Sequence, residues 1–194
     1  MIAQNSFFAM MARMKYINRW ALMRNSYDEN ISEHSMEVAM LAHGLAVIGN
    51  KRLHKHYDTE HIALLGLYHD CTEIITGDMP TPIKYDNEKI QQAYKEIERS
   101  AAYRLLHMLP EDIREEYEPF FLESHMDGES CILVKAADKL SALIKCIEEE
   151  KAGNQEFQKA KETIEKSVRD LSCPEADIFC EEFLPIYYKT LDEM

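Results

Sequence analysis

Residues 65–73 read LGLYHDCTE, an apolar run that ends in an imidazole and two carboxylates, those of His69, Asp70 and Glu73. The run continues a pattern of apolar residues at helical spacing, so we expect it to be helical. On an α-helix His69 and Glu73 share a face, while Asp70 is turned by about 100° from His69 and can reach a common ion from the side. The same stretch alone also fits a solvated helix end, so the rest of the chain must decide.

Apolar residues recur at helical spacing along most of the 194-residue chain. Ser32 is the expected N-cap of the second helix, and two prolines and a glycine are expected to end the third at 76–82. No stretch alternates apolar and polar residues as a strand does, so the sequence predicts an all-α protein with one domain over residues 1–194. The predicted helices cover residues 6–17, 33–48, 60–73, 87–109, 110–124, 129–152, 156–171 and 175–192.

The composition narrows the class of ligand. Hydrophobic residues make up 46% of the chain, which is enough for a sizeable core. The net charge is -13, from 22 basic and 35 acidic residues, and this disfavours binding to a nucleic-acid polymer, which needs a basic surface. An isolated nucleotide remains compatible with the charge, provided that a bound cation or well-placed arginines meet its phosphate.

The cysteines and the N-terminal sequence bear on location. The five cysteines are widely spaced and include no CxxC pair, so we expect reduced thiols and neither a disulfide framework nor a zinc knuckle. The N-terminal residues lack the charged start and the uninterrupted apolar core of a secretion signal, and no later run approaches membrane-spanning length. The expectation is a soluble cytoplasmic protein that does not interact with membranes.

Two further residues are candidate metal ligands. His34 lies on the apolar stripe of the second helix with Val38 and Leu41, where the alternative is a core histidine bonded to a backbone carbonyl. Asp138 lies among small residues of the sixth predicted helix, and a carboxylate buried there would need a cation. An exposed acid that pairs along the helix with Lys135 fits the periodicity equally well.

Taken together, the candidates occur in the order H…HD…D, with His34, the pair His69-Asp70, and Asp138 on different predicted helices. In this order the chain resembles the HD-domain metal-dependent phosphohydrolases. The resemblance implies that these four residues hold one divalent ion, with Co²⁺ or Mn²⁺ expected first and Zn²⁺ or Mg²⁺ as alternatives. Family members with two metals use further histidines, and His107 or His125 could serve here, although both fit helical surface positions.

Longer blocks of sequence are similar to the bacterial HD-domain 5′-deoxynucleotidases, the YfbR-like family. The likeness runs along nearly the whole chain, is strongest through residues 17–85 and around Asp138, and decreases toward the C-terminus, where it is limited to similar helical character. It implies an HD-domain helical bundle, a homodimer, and hydrolysis of deoxyribonucleoside 5′-monophosphates to deoxynucleosides and inorganic phosphate. The blocks that carry it are residues 17–25, 32–35, 68–73 and 76–85.

The resemblance also implies roles for residues outside the metal set. The metal would polarise the phosphoryl group and hold water, and Glu73 would act as the catalytic acid/base. Arg19 would grip the phosphate and take part in catalysis, and Trp20 would form a wall against the sugar. The alternatives are a surface glutamate for Glu73 and core packing for Trp20. Contacts with the substrate are also implied for His34, Asp70, Asp138 and the loop residues Asp78, Met79, Pro80 and Thr81.

Two other functions stay open at this point. One is a different HD hydrolase, which would act on a cyclic nucleotide or on an alarmone. The other is a regulator that binds a metal or a nucleotide without turnover, although the presence of Glu73 argues against it. A phosphate-release screen of nucleotides would separate these alternatives.

Overall fold

A computed structural model describes residues 5–84, 87–122 and 127–194, without the side chains of Thr81 and Pro82. The prediction of an all-α protein is confirmed, and within these ranges the strand-like pairing is an isolated antiparallel bridge between Asn18 and Asn30. The helices are α1 Phe7–Met11, α2 Ile31–Arg52, α3 Thr59–Tyr68, α4 Glu73–Thr76, α5 Thr81–Lys84, α6 Glu88–Leu106, α7 Glu111–Arg114, α8 Glu118–Phe121, α9 Gly128–Lys151, α10 Gln158–Asp170 and α11 Pro174–Glu182.

The chain divides into two compact units, each with its own core. The first unit comprises the described residues of Met1–Leu22, Asp28–Ser35 and Tyr68–Met126, and the second comprises Met23–Tyr27, Met36–Leu67 and Asp127–Met194. The prediction of one domain over residues 1–194 stays a prediction. No helix in the described part of the chain is long and apolar enough to cross a membrane.

The core of the first unit is built around aromatic rings. Phe7 is wholly buried, and its ring meets those of Tyr117 and Phe121 edge-on, with centroids 5.1 and 5.7 Å apart. Edge-to-face contacts of this kind stabilise a core beyond the area that they bury. Cys71 is also wholly buried there, with its Sγ 3.7 Å from the Sδ of Met14. The residue two positions after His69 therefore anchors this part of the chain to the core.

The second unit packs its helices closely. A Cβ added at Gly66 would lie 3.0 Å from the Cα of Ala39, so glycine at this position allows α3 to approach the backbone of α2. A buried ion pair between Lys145 and Glu149 in α9 anchors the segment 23–27, since the Glu149 carboxylate accepts the backbone N–H of Ser26 at 2.9 Å. Burial raises the pKa of Glu149, but its hydrogen bonds with Lys145, Asn154 and Ser26 lower it by more. The net result is a pKa of about 2.

The start of the second helix differs from the prediction. Asn30, and not Ser32, is the N-cap: its Oδ1 accepts the backbone N–H groups of Ser32 and Glu33 at 3.0 and 3.1 Å. The Glu33 side chain accepts the backbone N–H of Asn30 at 3.3 Å and so completes a capping box. The prediction failed because the cap lies two residues before Ser32, which also moves the capping-box position from Ser35 to Glu33.

The end of the third helix also differs, and this difference matters for the site. The predicted helix 60–73 ends at Tyr68, and residues 69–72 form turns before α4 begins at Glu73. The N–H of Cys71 bonds to the carbonyl of Tyr68, and the N–H of Glu73 bonds to that of Asp70, both three residues back. Because this spacing is tighter than that of an α-helix, the argument that His69 and Glu73 share a helical face is wrong.

Other predicted helices are interrupted where the sequence favours turns. The predicted helix 6–17 consists of α1 and a 3₁₀ turn at Met14–Tyr16. The region predicted as one helix over 110–124 contains α7 and α8, with Pro110 as the N-cap of α7. The final predicted helix likewise splits into α11 and two 3₁₀ turns. Cys71, Cys173 and Cys180 carry free thiols, as expected for a reduced protein.

Candidate metal and catalytic site

His34 enters the site from the first turn of α2. It is almost completely buried, and its backbone N–H donates to the carbonyl of Asn30 at 3.1 Å. The capping box at Asn30 fixes this turn and therefore fixes the direction in which the imidazole leaves the helix. The position of His34 on the apolar face was predicted from periodicity, and its burial confirms that part of the prediction.

His34, His69 and Asp70 converge within the first unit. The Nε2 atoms of His34 and His69 lie 3.5 and 3.0 Å from the same carboxylate oxygen, Oδ2 of Asp70. The two imidazole rings are 5.2 Å apart between centroids. Each residue offers one ligand atom, and the three atoms all lie within 4.8 Å of one another. Among the described residues this is the group of histidines and acids able to hold a metal ion.

This donor set fits a divalent cation. Burial raises the pKa of Asp70, but the charges and hydrogen bonds of His69 and His34 outweigh this effect and bring the pKa well below its usual value. Asp70 is therefore a carboxylate at neutral pH. Two imidazole nitrogens and one carboxylate oxygen suit borderline ions such as Zn²⁺, Co²⁺ and Mn²⁺, and leave positions for further ligands.

Glu73 is a buried carboxyl group in the first turn of α4. Its Oε2 has no hydrogen-bond partner among the residues that the structure describes. Burial and the neighbouring charges of Asp70 and Asp78 raise the pKa of Glu73 to about 9, against the opposing influence of Lys84 and Arg19. A simple surface glutamate, the alternative considered for this residue, is excluded by its 5% exposure.

Arg19 and Trp20 are held together by a residue that the sequence did not single out. The Oε2 of Glu29 accepts hydrogen bonds from Nη1 of Arg19 at 3.1 Å and from Nε1 of Trp20 at 2.8 Å. The backbone of Trp20 is left-handed, with a φ of 59°, and such a conformation costs a bulky residue roughly 1–3 kcal/mol. Contacts around this turn must offset that cost.

Asp78 joins the same group of residues from the loop after α4. It accepts a hydrogen bond from the backbone N–H of Trp20, and it interacts electrostatically with Arg19. Burial outweighs these contacts and raises the pKa of Asp78. The loop begins at Gly77, whose φ of 74° favours glycine, and the half-buried Met79 and Pro80 follow Asp78. The side chain of Thr81 lies outside the described part of the structure.

Lys84 is a second residue that the sequence analysis did not identify. Its Nζ lies 2.9 Å from Oε1 of Glu98 and 4.7 Å from the ring centroid of Tyr94. Burial lowers the pKa of Lys84, but the hydrogen bond and charge of Glu98, together with Tyr94, raise it by more than burial lowers it. The net shift of the pKa is upward, so Lys84 keeps its ammonium group. Its positive charge favours the ionised form of Glu73. Helical periodicity does not predict that the charge of Lys84 acts on Glu73.

The remaining predicted ligands are Asp138, His107 and His125, and none of the three assignments is tested by the described contacts. Asp138 is a half-buried residue of α9 in the second unit, and its assignment as a ligand stays a prediction. His107 is exposed at the end of α6, where its Nδ1 lies 2.7 Å from the carbonyl oxygen of Tyr103. His125 belongs to residues 123–126, which the structure does not describe.

Comparison with known proteins shows which family the chain is similar to. The family model described as 5′-deoxynucleotidase YfbR-like matches residues 6–187. A protein of Vibrio atlanticus strain LGP32 named 5′-deoxynucleotidase is 49% identical over 191 residues, which cover 98% of each chain. A protein of the same name from Klebsiella pneumoniae strain 342 is 47% identical over 193 residues, or 100% of this chain and 97% of that one.

Solved structures agree on the fold. The chain is similar to an HD-domain phosphohydrolase from Listeria innocua with a TM-score of 0.82 and 19% identity, over 94% of this chain and 88% of that one. It is similar to an HD phosphohydrolase of cyanophage S-2L, solved bound to dA and one catalytic Zn²⁺ ion, with a TM-score of 0.67 and 20% identity, over 94% of this chain and 96% of that one. With the family match over residues 6–187, these findings confirm the resemblance, and the chain belongs to the YfbR-like family of 5′-deoxynucleotidases.

Proposed function

We propose that the chain is a metal-dependent phosphohydrolase that converts deoxyribonucleoside 5′-monophosphates to deoxynucleosides and inorganic phosphate. The observation that carries the proposal is the convergence of His34, His69 and Asp70 in a member of a 5′-deoxynucleotidase family. An acidic protein with a net charge of -13 needs local positive charge to bind a phosphate dianion. A cation on this group and the guanidinium of Arg19 would provide it.

The three converging residues would hold one divalent ion, Co²⁺ or Mn²⁺ in the first place, with Zn²⁺ or Mg²⁺ as alternatives. We retain Asp138 as the fourth ligand on the strength of the H…HD…D order alone. When bound, such an ion supplies Lewis-acid polarisation of the phosphoryl group. His34, Asp70 and Asp138 then also border the bound phosphate, as the resemblance implies.

Glu73 is the proposed catalytic acid/base. Its buried carboxyl group lies in the electrostatic range of Asp70, and its pKa of about 9 reflects burial and the nearby acids. A positive charge placed beside Asp70 favours the carboxylate form and lowers that pKa. The resulting carboxylate can take a proton from the attacking water, a role that typically contributes about a hundredfold to ten-thousandfold in rate.

Arg19, Trp20 and Asp78 are the proposed recognition residues. The guanidinium is always charged and presents several N–H groups, so it suits the oxygens of a 5′-phosphate. The indole of Trp20 would occupy the space that a 2′-hydroxyl needs, and Asp78 would accept a hydrogen bond from the 3′-hydroxyl. Met79, Pro80 and Thr81 would complete the wall of the pocket.

A phosphate-release screen tests the proposal. Matched ribo- and deoxyribonucleoside 5′-monophosphates, a cyclic nucleotide and an alarmone are each incubated with Co²⁺, Mn²⁺, Zn²⁺ or Mg²⁺. The proposal predicts release from the deoxymonophosphates in preference to the ribo forms. Turnover of the cyclic nucleotide or the alarmone alone would indicate a different HD hydrolase, and nucleotide binding without any turnover would indicate a regulator.

We further infer from the resemblance that the chain acts as a single HD domain, forms a homodimer and works in the cytoplasm. Sedimentation of the purified protein at several concentrations tests the dimer. Fractionation of the source cells tests the location. The net charge of -13 supports a small-molecule substrate over a nucleic-acid polymer, which would need a basic surface.

A further inference from the structure

Glu29 is a buried carboxylate that the proposed reaction does not use. It is 5% exposed, in the loop that precedes the cap of α2. Its Oε2 accepts both the Arg19 guanidinium at 3.1 Å and the Trp20 indole N–H at 2.8 Å. Its backbone carbonyl accepts the N–H of Arg19 at 2.9 Å. One residue therefore restrains Arg19 through both backbone and side chain and restrains Trp20 through the indole.

The hydrogen bonds to Glu29 restrict the orientations of the Arg19 guanidinium and the Trp20 indole. A hydrogen bond between an ionised acid and a buried donor is shorter and stronger than a neutral one, and the guanidinium group is planar. The Cζ of Arg19 also lies 5.8 Å from the centroid of the Trp20 ring, within the range of a cation–π contact. The left-handed backbone of Trp20 needs such restraints to persist.

We propose that Glu29 is a positioning residue that holds Arg19 and Trp20 as one unit, so that recognition of the 5′-phosphate and discrimination against the 2′-hydroxyl both use hydrogen bonds to the same carboxylate oxygen, Oε2. This inference rests on the proposed function for its kinetic consequence. Because both bonds end on Oε2, a change at Glu29 removes one hydrogen bond from the guanidinium and one from the indole together. Loss of phosphate affinity and loss of sugar discrimination should therefore occur in the same variant.

Trp20 allows a test that does not depend on activity, because it is the one tryptophan in the sequence. Intrinsic fluorescence and its quenching by acrylamide are measured for wild type and for Glu29→Ala. The control is Asp28→Ala, which removes the same charge from the exposed neighbouring position. We expect a shifted emission maximum and easier quenching in Glu29→Ala, wild-type spectra in Asp28→Ala, and unchanged metal content in both.

Kinetics test the coupling. For a matched dNMP and NMP pair with metal added, Glu29→Ala should lower kcat/KM on the dNMP about tenfold to a hundredfold, as expected for loss of a hydrogen bond to a charged group. The fall in kcat/KM should be smaller for the NMP, so the ratio of kcat/KM between dNMP and NMP should decrease. Glu29→Gln should restore much of the ratio, since its amide oxygen can accept both bonds. In an Arg19→Ala background, Glu29→Ala should cost much less than in wild type.

The outcomes separate this inference from the proposed function. Unchanged Trp20 emission and an unchanged dNMP/NMP ratio in folded Glu29→Ala would overturn the positioning role. If Glu29→Ala is unfolded by circular dichroism, Glu29→Gln decides, since its neutral amide oxygen can accept both bonds but holds them more weakly than a carboxylate. A KM for the dNMP raised at least threefold, or altered Trp20 emission, supports the role, and a KM and an emission spectrum that both match wild type overturn it. If wild type hydrolyses no dNMP while Glu29→Ala still alters Trp20 emission, the proposed function fails and the positioning of Trp20 stands.

Discussion

Replacing Glu73 by Gln should stabilise the protein and remove its activity. The carboxyl group of Glu73 is 5% exposed and has a pKa of about 9, raised by burial and by the charges of Asp70 and Asp78. In the unfolded chain the pKa returns to about 4.5. Between these two values the folded protein holds a proton that the unfolded chain releases, so the free energy of unfolding falls as the pH rises.

The magnitude follows from the two pKa values. One pKa unit corresponds to about 1.4 kcal/mol, so the contribution of Glu73 to stability falls by about 3 kcal/mol between pH 5 and pH 7.5. Glutamine has nearly the same shape as protonated glutamate and does not titrate. The stability of Glu73→Gln relative to wild type should therefore rise by about 3 kcal/mol over this interval, because the loss occurs only in wild type.

The assay is urea unfolding of chelated wild type and Glu73→Gln at pH 5 and pH 7.5, followed by circular dichroism. Glu60→Gln is the control, since it makes the same exchange at an exposed position. Added metal should shrink the effect at Glu73, because a nearby cation favours the carboxylate. A stability difference between Glu73→Gln and wild type that stays constant with pH would refute the reasoning.

Three further substitutions test separate parts of the site. His69→Ala should lower bound metal per chain while circular dichroism stays near that of wild type, and full metal content would contradict its assignment as a ligand. Trp20→Ala should narrow the ratio of kcat/KM between a matched dNMP and NMP, and an unchanged ratio would assign Trp20 to packing. Asn30→Ala should lower the free energy of unfolding by about 1 kcal/mol through loss of the N-cap of α2, measured by urea unfolding against exposed Asp28→Ala.

The helical character of the chain was predictable because apolar residues at intervals of three and four mark nearly every long helix. His34 could be placed on a buried face for the same reason. The end of α3 at Tyr68 was not predictable from this pattern, since the change to hydrogen bonds three residues apart accompanies the burial of Cys71 in the core of the first unit. At residues 69–72 tertiary packing, and not the local sequence pattern, determined the backbone conformation.

The contacts of Glu29 could not be predicted from the sequence, for a different reason. Glu29 lies ten residues from Arg19 and meets it across a loop, and adjacent Asp28 carries the same charge. Nothing in the spacing of the chain distinguishes the two acids, whereas in the structure Glu29 is buried and Asp28 is exposed. The motifs predict which residues would contact the substrate, whereas the hydrogen bonds of Glu29 to Arg19 and Trp20 are visible only in the structure.

The central claim is that a metal held by His34, His69 and Asp70 supports hydrolysis of a deoxyribonucleoside 5′-monophosphate. The most direct measurement is phosphate release from one dNMP by chelated protein, before and after titration with Co²⁺ or Mn²⁺. We predict no release from the chelated protein, and recovery that saturates near one equivalent of metal in wild type but not in His69→Ala. Equal release in the presence of excess chelator, or none with any divalent ion, would contradict the claim.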